Sequence, residues 1–160
     1  MVPPLGAAVG AGLGGIAAGI LMQRLGNRWG LRVVPLFAMT STAVLLLVAV
    51  NASSAYVALA ALALCFMAVE LTEGSFWAAG MMVGRGDSMA VCGFMNTGGN
   101  LGGIIGIPIV AYFSGLQAWH TAFLIGAGFA VVSAVSWLGI RVSASPAAPS
   151  TALAAQAVSA

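Results

Sequence analysis

Residues 93–106 read GFMNTGGNLGGIIG, and this glycine-rich stretch decides how the rest of the chain is interpreted. Six of its fourteen residues are glycine, a residue that costs about 1 kcal/mol relative to alanine in a helix interior. The stretch nevertheless lies inside an uncharged apolar run, residues 89–113, that is long enough to cross a bilayer as one helix. Because a backbone in lipid has to satisfy its own hydrogen bonds, the sequence predicts a transmembrane helix here despite the glycines.

Small and polar residues recur every four positions along this predicted helix. The glycines with that spacing are Gly98, Gly102 and Gly106, and also Gly99 and Gly103. Such spacing lets a neighbouring helix backbone approach closely, so these glycines are predicted to pack against another helix. Asn96 and Asn100 place two amides on one face at membrane depth, where polar groups are expected to face protein or a watery cavity. Two interpretations stay open, namely interhelical hydrogen bonding by the asparagines and a path for substrate.

The composition of the whole chain indicates an all-α integral membrane protein. Of the 160 residues, 61% are hydrophobic and only 5% are charged, whereas an ordinary soluble domain is about 25% charged. The five arginines are spread along the chain and lysine is absent, so nucleic acid is not an expected partner. Cys65 and Cys92 fall inside predicted spans, and no cysteine–histidine cluster suggests a metal. No cofactor is expected.

Five transmembrane segments are predicted within one helical domain, residues 1–141. They are residues 5–22, 33–50, 56–83, 89–113 and 119–140. The first of them carries Gly6, Gly10 and Gly14 at four-residue spacing. Residues 142–160 are rich in alanine, serine and proline and are predicted to form a disordered cytoplasmic tail.

The arginines predict the orientation in the membrane. With five spans, every arginine lies on the same side, and the positive-inside rule makes that side cytoplasmic. We therefore expect a multi-pass protein of the cell inner (plasma) membrane, with its N-terminus outside and its C-terminus in the cytoplasm.

Two acids inside the predicted third span are the strongest functional signal. Glu70 and Glu73 are three residues apart and would share one face of an unbroken helix, which Trp77 extends by a turn. A charged side chain at that depth costs about 2.5–3.5 kcal/mol on insertion scales. A carboxyl that binds and releases a proton is what a proton-coupled transporter requires. The alternative is that one acid is a structural hydrogen-bonding group and the other reaches water.

No complete catalytic set is present, so an enzyme is not expected. Residues 84–87 read GRGD, which matches the Gly-x-Gly-Asp motif of intramembrane aspartyl proteases. Those enzymes need a second aspartate to share the catalytic proton, and Asp87 is the only aspartate in the chain. His120, the only histidine, lacks a placed acid partner for serine hydrolysis.

Three segments resemble the major facilitator superfamily of transporters. Residues 19–28, GILMQRLGNR, are similar to the family's Gly-x-x-x-Asp-Arg-x-Gly-Arg-Arg cytoplasmic loop, with Gln23 in place of the aspartate. The residues that match this loop are Gly19, Arg24, Gly26 and Arg28. Residues 74–78, GSFWA, and 96–103, NTGGNLGG, are similar to helices ten and eleven of the anion:cation symporter branch.

The resemblance implies a partial C-terminal bundle of a twelve-helix fold, helices eight to twelve. It implies secondary active transport of a small organic anion with a proton or cation, completed in the lipid membrane by a missing N-terminal half or by self-association. On this hypothesis the pathway would be lined by Glu70, Glu73, Trp77, Asn96 and Asn100. The competing hypothesis is a non-transporting membrane scaffold or assembly subunit that uses the same glycine packing.

Overall fold

The computed structural model describes residues 2–140 and residue 142, and the described part is built from helices. They are α1 (Val2–Asn51), α2 (Ala55–Glu70), α3 (Glu73–Gly84), a 3-10 turn (Arg85–Asp87), α4 (Ser88–Gly115) and α5 (Trp119–Gly139). The all-helical prediction is confirmed for these residues. The tail predicted at 142–160 lies outside the described residues except for Val142, and so does Arg141 at the end of the predicted domain.

Three helical stretches are long and apolar enough to cross a membrane. They are Gly6–Asn51, Ala55–Gly115 and Trp119–Gly139, which contain 18-residue windows with mean hydropathies of 2.4, 2.0 and 1.9, respectively. This agrees with the membrane character predicted from composition. The first stretch contains a sharp break in α1, and the second contains the 3-10 turn that precedes α4.

The break in α1 lies at Gly26. Its φ of 75° and ψ of 164° are not helical, and side chains other than that of glycine rarely adopt such a φ. The chain folds back here, because Gly30 contacts the backbone of Met22 so closely that an added β-carbon would collide with it. We call residues 2–25 the N-terminal arm of α1 and residues 27–51 its C-terminal arm.

The predicted bounds of the first two spans leave residues 23–32 between them as a polar loop, and the extent of that loop is wrong. Only Gly26 departs from helical geometry, and the residues on either side continue the two arms. Polar side chains such as Arg24 and Arg28 suggested a loop, but they are exposed on helix ends, where arginine has a good helix propensity.

The predicted third span, residues 56–83, is not one continuous helix. The regular α-helical hydrogen bonding is interrupted at the two residues between α2 and α3, Leu71 and Thr72, although both keep right-handed helical backbone angles. The Leu71 N–H still donates to the Met67 carbonyl oxygen at 3.1 Å, whereas the Thr72 N–H donates to that of Val69 at 3.0 Å, one residue closer than in an α-helix. The Thr72 hydroxyl donates to the carbonyl oxygen of Val69 at 2.8 Å. Bonds of this kind compete with the helical ladder, so the side chain of Thr72 stabilises the break.

The N-terminal arm of α1 lies directly against this break. A β-carbon added at Gly10 would lie 2.6 Å from the carbonyl oxygen of Met67 and 3.0 Å from Cβ of Glu70. A β-carbon added at Gly14 would collide with the backbone of Leu71. Only glycine permits this approach of backbone to backbone, so the two glycines cover the break with protein.

A further glycine contact joins the same arm to α3. A β-carbon added at Gly74 would lie 2.5 Å from Cα of Gly15. Because Gly74 is the second residue of α3, this contact fixes where α3 starts and so where Glu73 lies. The N-terminal arm thus holds the helices on both sides of the break.

The C-terminal arm of α1 packs along α5 through small side chains. Ala43 on the arm and Ala127 and Ala130 on α5 form a buried cluster, against which Leu46 packs. Alanines at such a contact let two helices approach closely in a setting where lipid tails are as apolar as the side chains.

Arg32 fixes the end of α5 against the same arm. Its side chain is only 3% exposed, and its Nε donates to the carbonyl oxygen of Ile140 at 3.0 Å. The Nη2 group donates to the same oxygen, and the guanidinium lies 5.6 Å from the centre of the Trp29 ring. Because the last carbonyls of a helix have no partner within the helix, an arginine donor there stabilises its C-terminus.

A tight turn brings α3 and α4 side by side. The turn Arg85–Asp87 begins at Arg85, whose φ of 47° is unusual for a residue with a side chain. The Ser88 hydroxyl lies 2.6 Å from the carbonyl oxygen of Arg85 and 3.1 Å from that of Met81, which ties the start of α4 to the end of α3.

The contact between α3 and α4 predicts a disulfide that can be engineered. A β-carbon added at Gly80 would lie 3.0 Å from Sγ of Cys92, a distance close to the geometry of a disulfide. We expect Gly80→Cys to form an intramolecular disulfide with Cys92 on mild oxidation, detected by mass spectrometry of the peptides. Gly98→Cys, where an added β-carbon has no neighbour within 4 Å, is the matched control and should form no such bond. Failure of Gly80→Cys to close would contradict the packing of α3 on α4.

Candidate functional site

A polar cleft of about 280 Å³ lies between α3 and α4. Its lining residues are Thr72, Glu73, Phe76, Trp77, Met95, Asn96, Gly99 and Asn100. Four of the five residues predicted to line a pathway are therefore brought together, and Glu70 is the exception.

The break between α2 and α3 and the turn before α4 place these side chains. Glu73 is the first residue of α3 and Trp77 follows one turn later. Asn96 and Asn100 are likewise one turn apart on α4. Since the 3-10 turn makes α3 and α4 antiparallel neighbours, the two pairs face each other across the cleft.

The carboxylate of Glu73 is held by its neighbour on α3. The indole Nε1–H of Trp77 donates to Oε2 of Glu73 at 2.6 Å. The Trp77 ring is also fixed by an edge-to-face contact with Phe76, with the ring centres 5.3 Å apart. In addition, Glu73 lies in the first turn of α3, where the helix dipole favours a negative charge.

Glu70 has different surroundings from Glu73. Its Cβ lies against Gly10 of the N-terminal arm of α1, and it does not line the cleft. The two acids that the sequence placed on one face thus have different neighbours, the N-terminal arm of α1 for Glu70 and the cleft for Glu73, although the backbone between them keeps helical angles. A role for Glu70 in a pathway stays a prediction.

No basic side chain lines the cleft. Arg32 is bound to the end of α5, and Arg85 lies twelve residues from Glu73 at the opposite end of α3, a helical distance of about 18 Å. The local charge of the cleft, within the part of the chain that the structure describes, is therefore that of Glu73 alone.

The glycines of α4 make no close contact within the described chain. A β-carbon added at each of them would have no neighbour within 4 Å. These residues are Gly98, Gly99, Gly102, Gly103 and Gly106. Moreover, none of the residues of α4 is buried. The predicted helix packing stays a prediction, and it requires a helix other than those described here.

A larger cavity, about 570 Å³, lies between α4 and α5. Ser114 is the one hydroxyl among the residues that line it, and the others are apolar, such as Ile107, Val110 and Phe129. Such a groove suits lipid chains or an apolar helix. The groups able to bind a polar solute or a proton are in the smaller cleft.

The residues that match the family's cytoplasmic loop motif differ in their structural surroundings. Gly26 makes the turn of α1, Arg24 and Arg28 are exposed, and a β-carbon at Gly19 would meet nothing within 4 Å. The sequence reasoning missed Arg32, which is buried. Arg24, Arg28 and Arg32 are each four residues apart, so the sequence does not distinguish Arg32 from the two exposed arginines. Only its contact with the end of α5 does so.

Comparisons with protein-family models, curated proteins and solved structures found no match to this chain. In the described residues, histidine, cysteine, aspartate and glutamate form no group of three or more that could hold a metal ion. The geometry of the cleft and the motifs in the sequence are therefore the features that indicate a function.

Proposed function

We propose that the chain is part of a secondary active transporter of the major facilitator type, which moves a small organic anion together with a proton or cation. The observation that carries the proposal is the gathering of Glu73, Trp77, Asn96 and Asn100 in one cleft between apolar helices. Ionisable and amide groups at membrane depth are costly and mark solute or proton paths. The substrate class comes from the motifs that resemble the anion:cation symporter branch.

The cleft supplies part of the machinery that such a transporter needs. Glu73 would bind and release the coupled proton or cation, and the two asparagines would contact the solute. Because no basic residue lines the cleft, the groups that bind an organic anion would come from another bundle.

The exposure of α4 supports the proposal that further helices complete the transporter. Asn96 and Asn100 are both exposed, although they lie on an apolar helix without a buried residue. A transporter of this kind alternates access by moving one bundle against another around a midplane site. The second bundle would be a missing N-terminal half or further copies of this chain.

The proposal includes five membrane passes. The two arms of α1 would be the first two, α2 with α3 the third, α4 the fourth and α5 the fifth. The positive-inside rule would then place the Gly26 turn and the Arg85–Asp87 turn in the cytoplasm and the N-terminus outside the inner (plasma) membrane.

A second candidate function is a non-transporting membrane scaffold or assembly subunit. The observation in its favour is the row of glycines on α4 that contacts nothing in the described chain. Such a row permits close association with another helix and requires no solute. In a scaffold the cleft acid would be replaceable without loss of function.

Uptake measurements separate these two functions. In membrane vesicles of the native host, we expect an imposed proton or sodium gradient to drive uptake of at least one radiolabelled small carboxylate. Glu73→Gln keeps the size of the side chain and removes its charge, so uptake should fall to the background of vesicles without the chain. Asp87→Asn removes a carboxylate outside the cleft and should leave uptake unchanged. Wild-type uptake by Glu73→Gln at equal membrane content would favour the scaffold.

Reporter fusions measure the proposed orientation. A reporter joined at Ser53, between α1 and α2, should be active outside the cell, whereas one joined at Asp87 should be active in the cytoplasm. The physical reason is that the arginine-bearing turns stay on the cytoplasmic side. A cytoplasmic signal at Ser53 would overturn the five-pass arrangement.

A further inference from the structure

Three of the side-chain hydrogen-bond donor groups that line the cleft are already used within the chain, and the Asn96 amide is the one without a partner among the described residues. The Trp77 indole N–H is bound to Glu73 at 2.6 Å, and the Thr72 hydroxyl donates to Val69 at 2.8 Å. The amide Nδ2 of Asn100 donates to the carbonyl oxygen of Asn96 at 2.9 Å. These groups therefore have few hydrogens left to offer a ligand.

The acceptors of the same residues are left free. Glu73 uses Oε2 for the indole, so Oε1 is available, and a carboxylate oxygen accepts more than one bond. Asn100 binds through its nitrogen, which leaves its amide oxygen available in an exposed position. No basic side chain lines the cleft, and its acceptors include the carboxyl group of Glu73 and the amide oxygens of Asn96 and Asn100. A ligand that matches it donates hydrogen bonds and is positively charged.

The side chains that line the cleft and the volume of the cleft further restrict the classes of ligand that fit. The Phe76 and Trp77 rings line it, and the faces of aromatic rings attract cations. A bare metal ion such as Ca²⁺ requires about six to eight oxygen ligands at contact distance, more than this lining offers. A volume of about 280 Å³ suits a small organic molecule.

We propose that the cleft between α3 and α4 binds the ammonium group of a small organic cation, held by the Glu73 carboxylate, the Asn100 amide oxygen and the aromatic rings. The inference deepens the proposed function, on which it rests, because it names the chemical class of the cation that is coupled to the organic anion. The bundle that completes the transporter would then bind the anion, and the two charges would be recognised on opposite walls.

The test uses the full chain in lipid nanodiscs, labelled with ¹⁵N at the tryptophan indoles. The probe is 4-hydroxybutylammonium, and its neutral match is butane-1,4-diol, which has a hydroxyl in place of the ammonium. We expect the ammonium probe to shift the Trp77 indole signal saturably, and the diol to bind at least about tenfold more weakly. Trp77→Phe identifies the signal by its disappearance.

Variants separate the cleft from nonspecific attraction of cations to the protein. Glu73→Gln should weaken binding of the ammonium probe at least about tenfold, and Asn100→Leu, a change that an apolar helix tolerates, should weaken it as well. Asp87→Asn removes an equal charge elsewhere and should leave the affinity unchanged. Equal responses to both probes, a response to Na⁺ but not to the ammonium, or undiminished affinity in Glu73→Gln would each overturn the inference.

The binding test can succeed or fail independently of the uptake test. Uptake that depends on Glu73, in the absence of ammonium binding, would overturn the inference and leave the proposed function standing. Ammonium binding without gradient-driven uptake of any carboxylate would overturn the proposed function and keep the cation site.

Discussion

The structure depends on one constraint, which is that polar backbone groups in the middle of a long apolar stretch must be covered by protein. The regular α-helical hydrogen bonding is interrupted at Leu71 and Thr72, in the middle of an apolar stretch. An interruption of this kind is tolerated only where protein or a cavity covers it. Gly10 and Gly14 provide the cover, because their lack of side chains lets the N-terminal arm of α1 touch the exposed backbone.

The break also sets the chemistry of the cleft. It gives α3 an N-terminus of its own at Glu73, where the helix dipole favours a carboxylate, and it leaves Glu70 against α1. Trp77 then orients the Glu73 carboxylate, and α4 brings two asparagines opposite it. The two carboxyl groups on either side of the break thus have different surroundings, because Glu73 lines the cleft and Glu70 lies against α1.

Sequence reasoning predicted the helical membrane class and the members of the cleft better than the packing. Composition required apolar helices, and spacing of one turn placed Glu73 with Trp77 and Asn96 with Asn100. The break was not predictable, since neither Leu71 nor Thr72 is a strong helix breaker such as glycine or proline. The hydroxyl bond of Thr72 to Val69 and the contact with α1 are visible only in the structure. Glycine spacing likewise did not predict which glycines make contacts. Glycines four residues apart occur on α1, where Gly10 and Gly14 contact α2 and the break, and on α4, where they contact nothing in the described chain.

The central claim is that close backbone contact between Gly14 and Leu71 holds the break, and thermal unfolding in detergent tests it most directly. Gly14→Ala places a methyl group against the Leu71 backbone, whereas Gly12→Ala, in the same arm, places one in open space. The account predicts that Gly14→Ala lowers the free energy of unfolding by about 1–3 kcal/mol. Gly12→Ala should be neutral or slightly stabilising, as alanine favours a helix. Equal stability of the two variants would contradict the account.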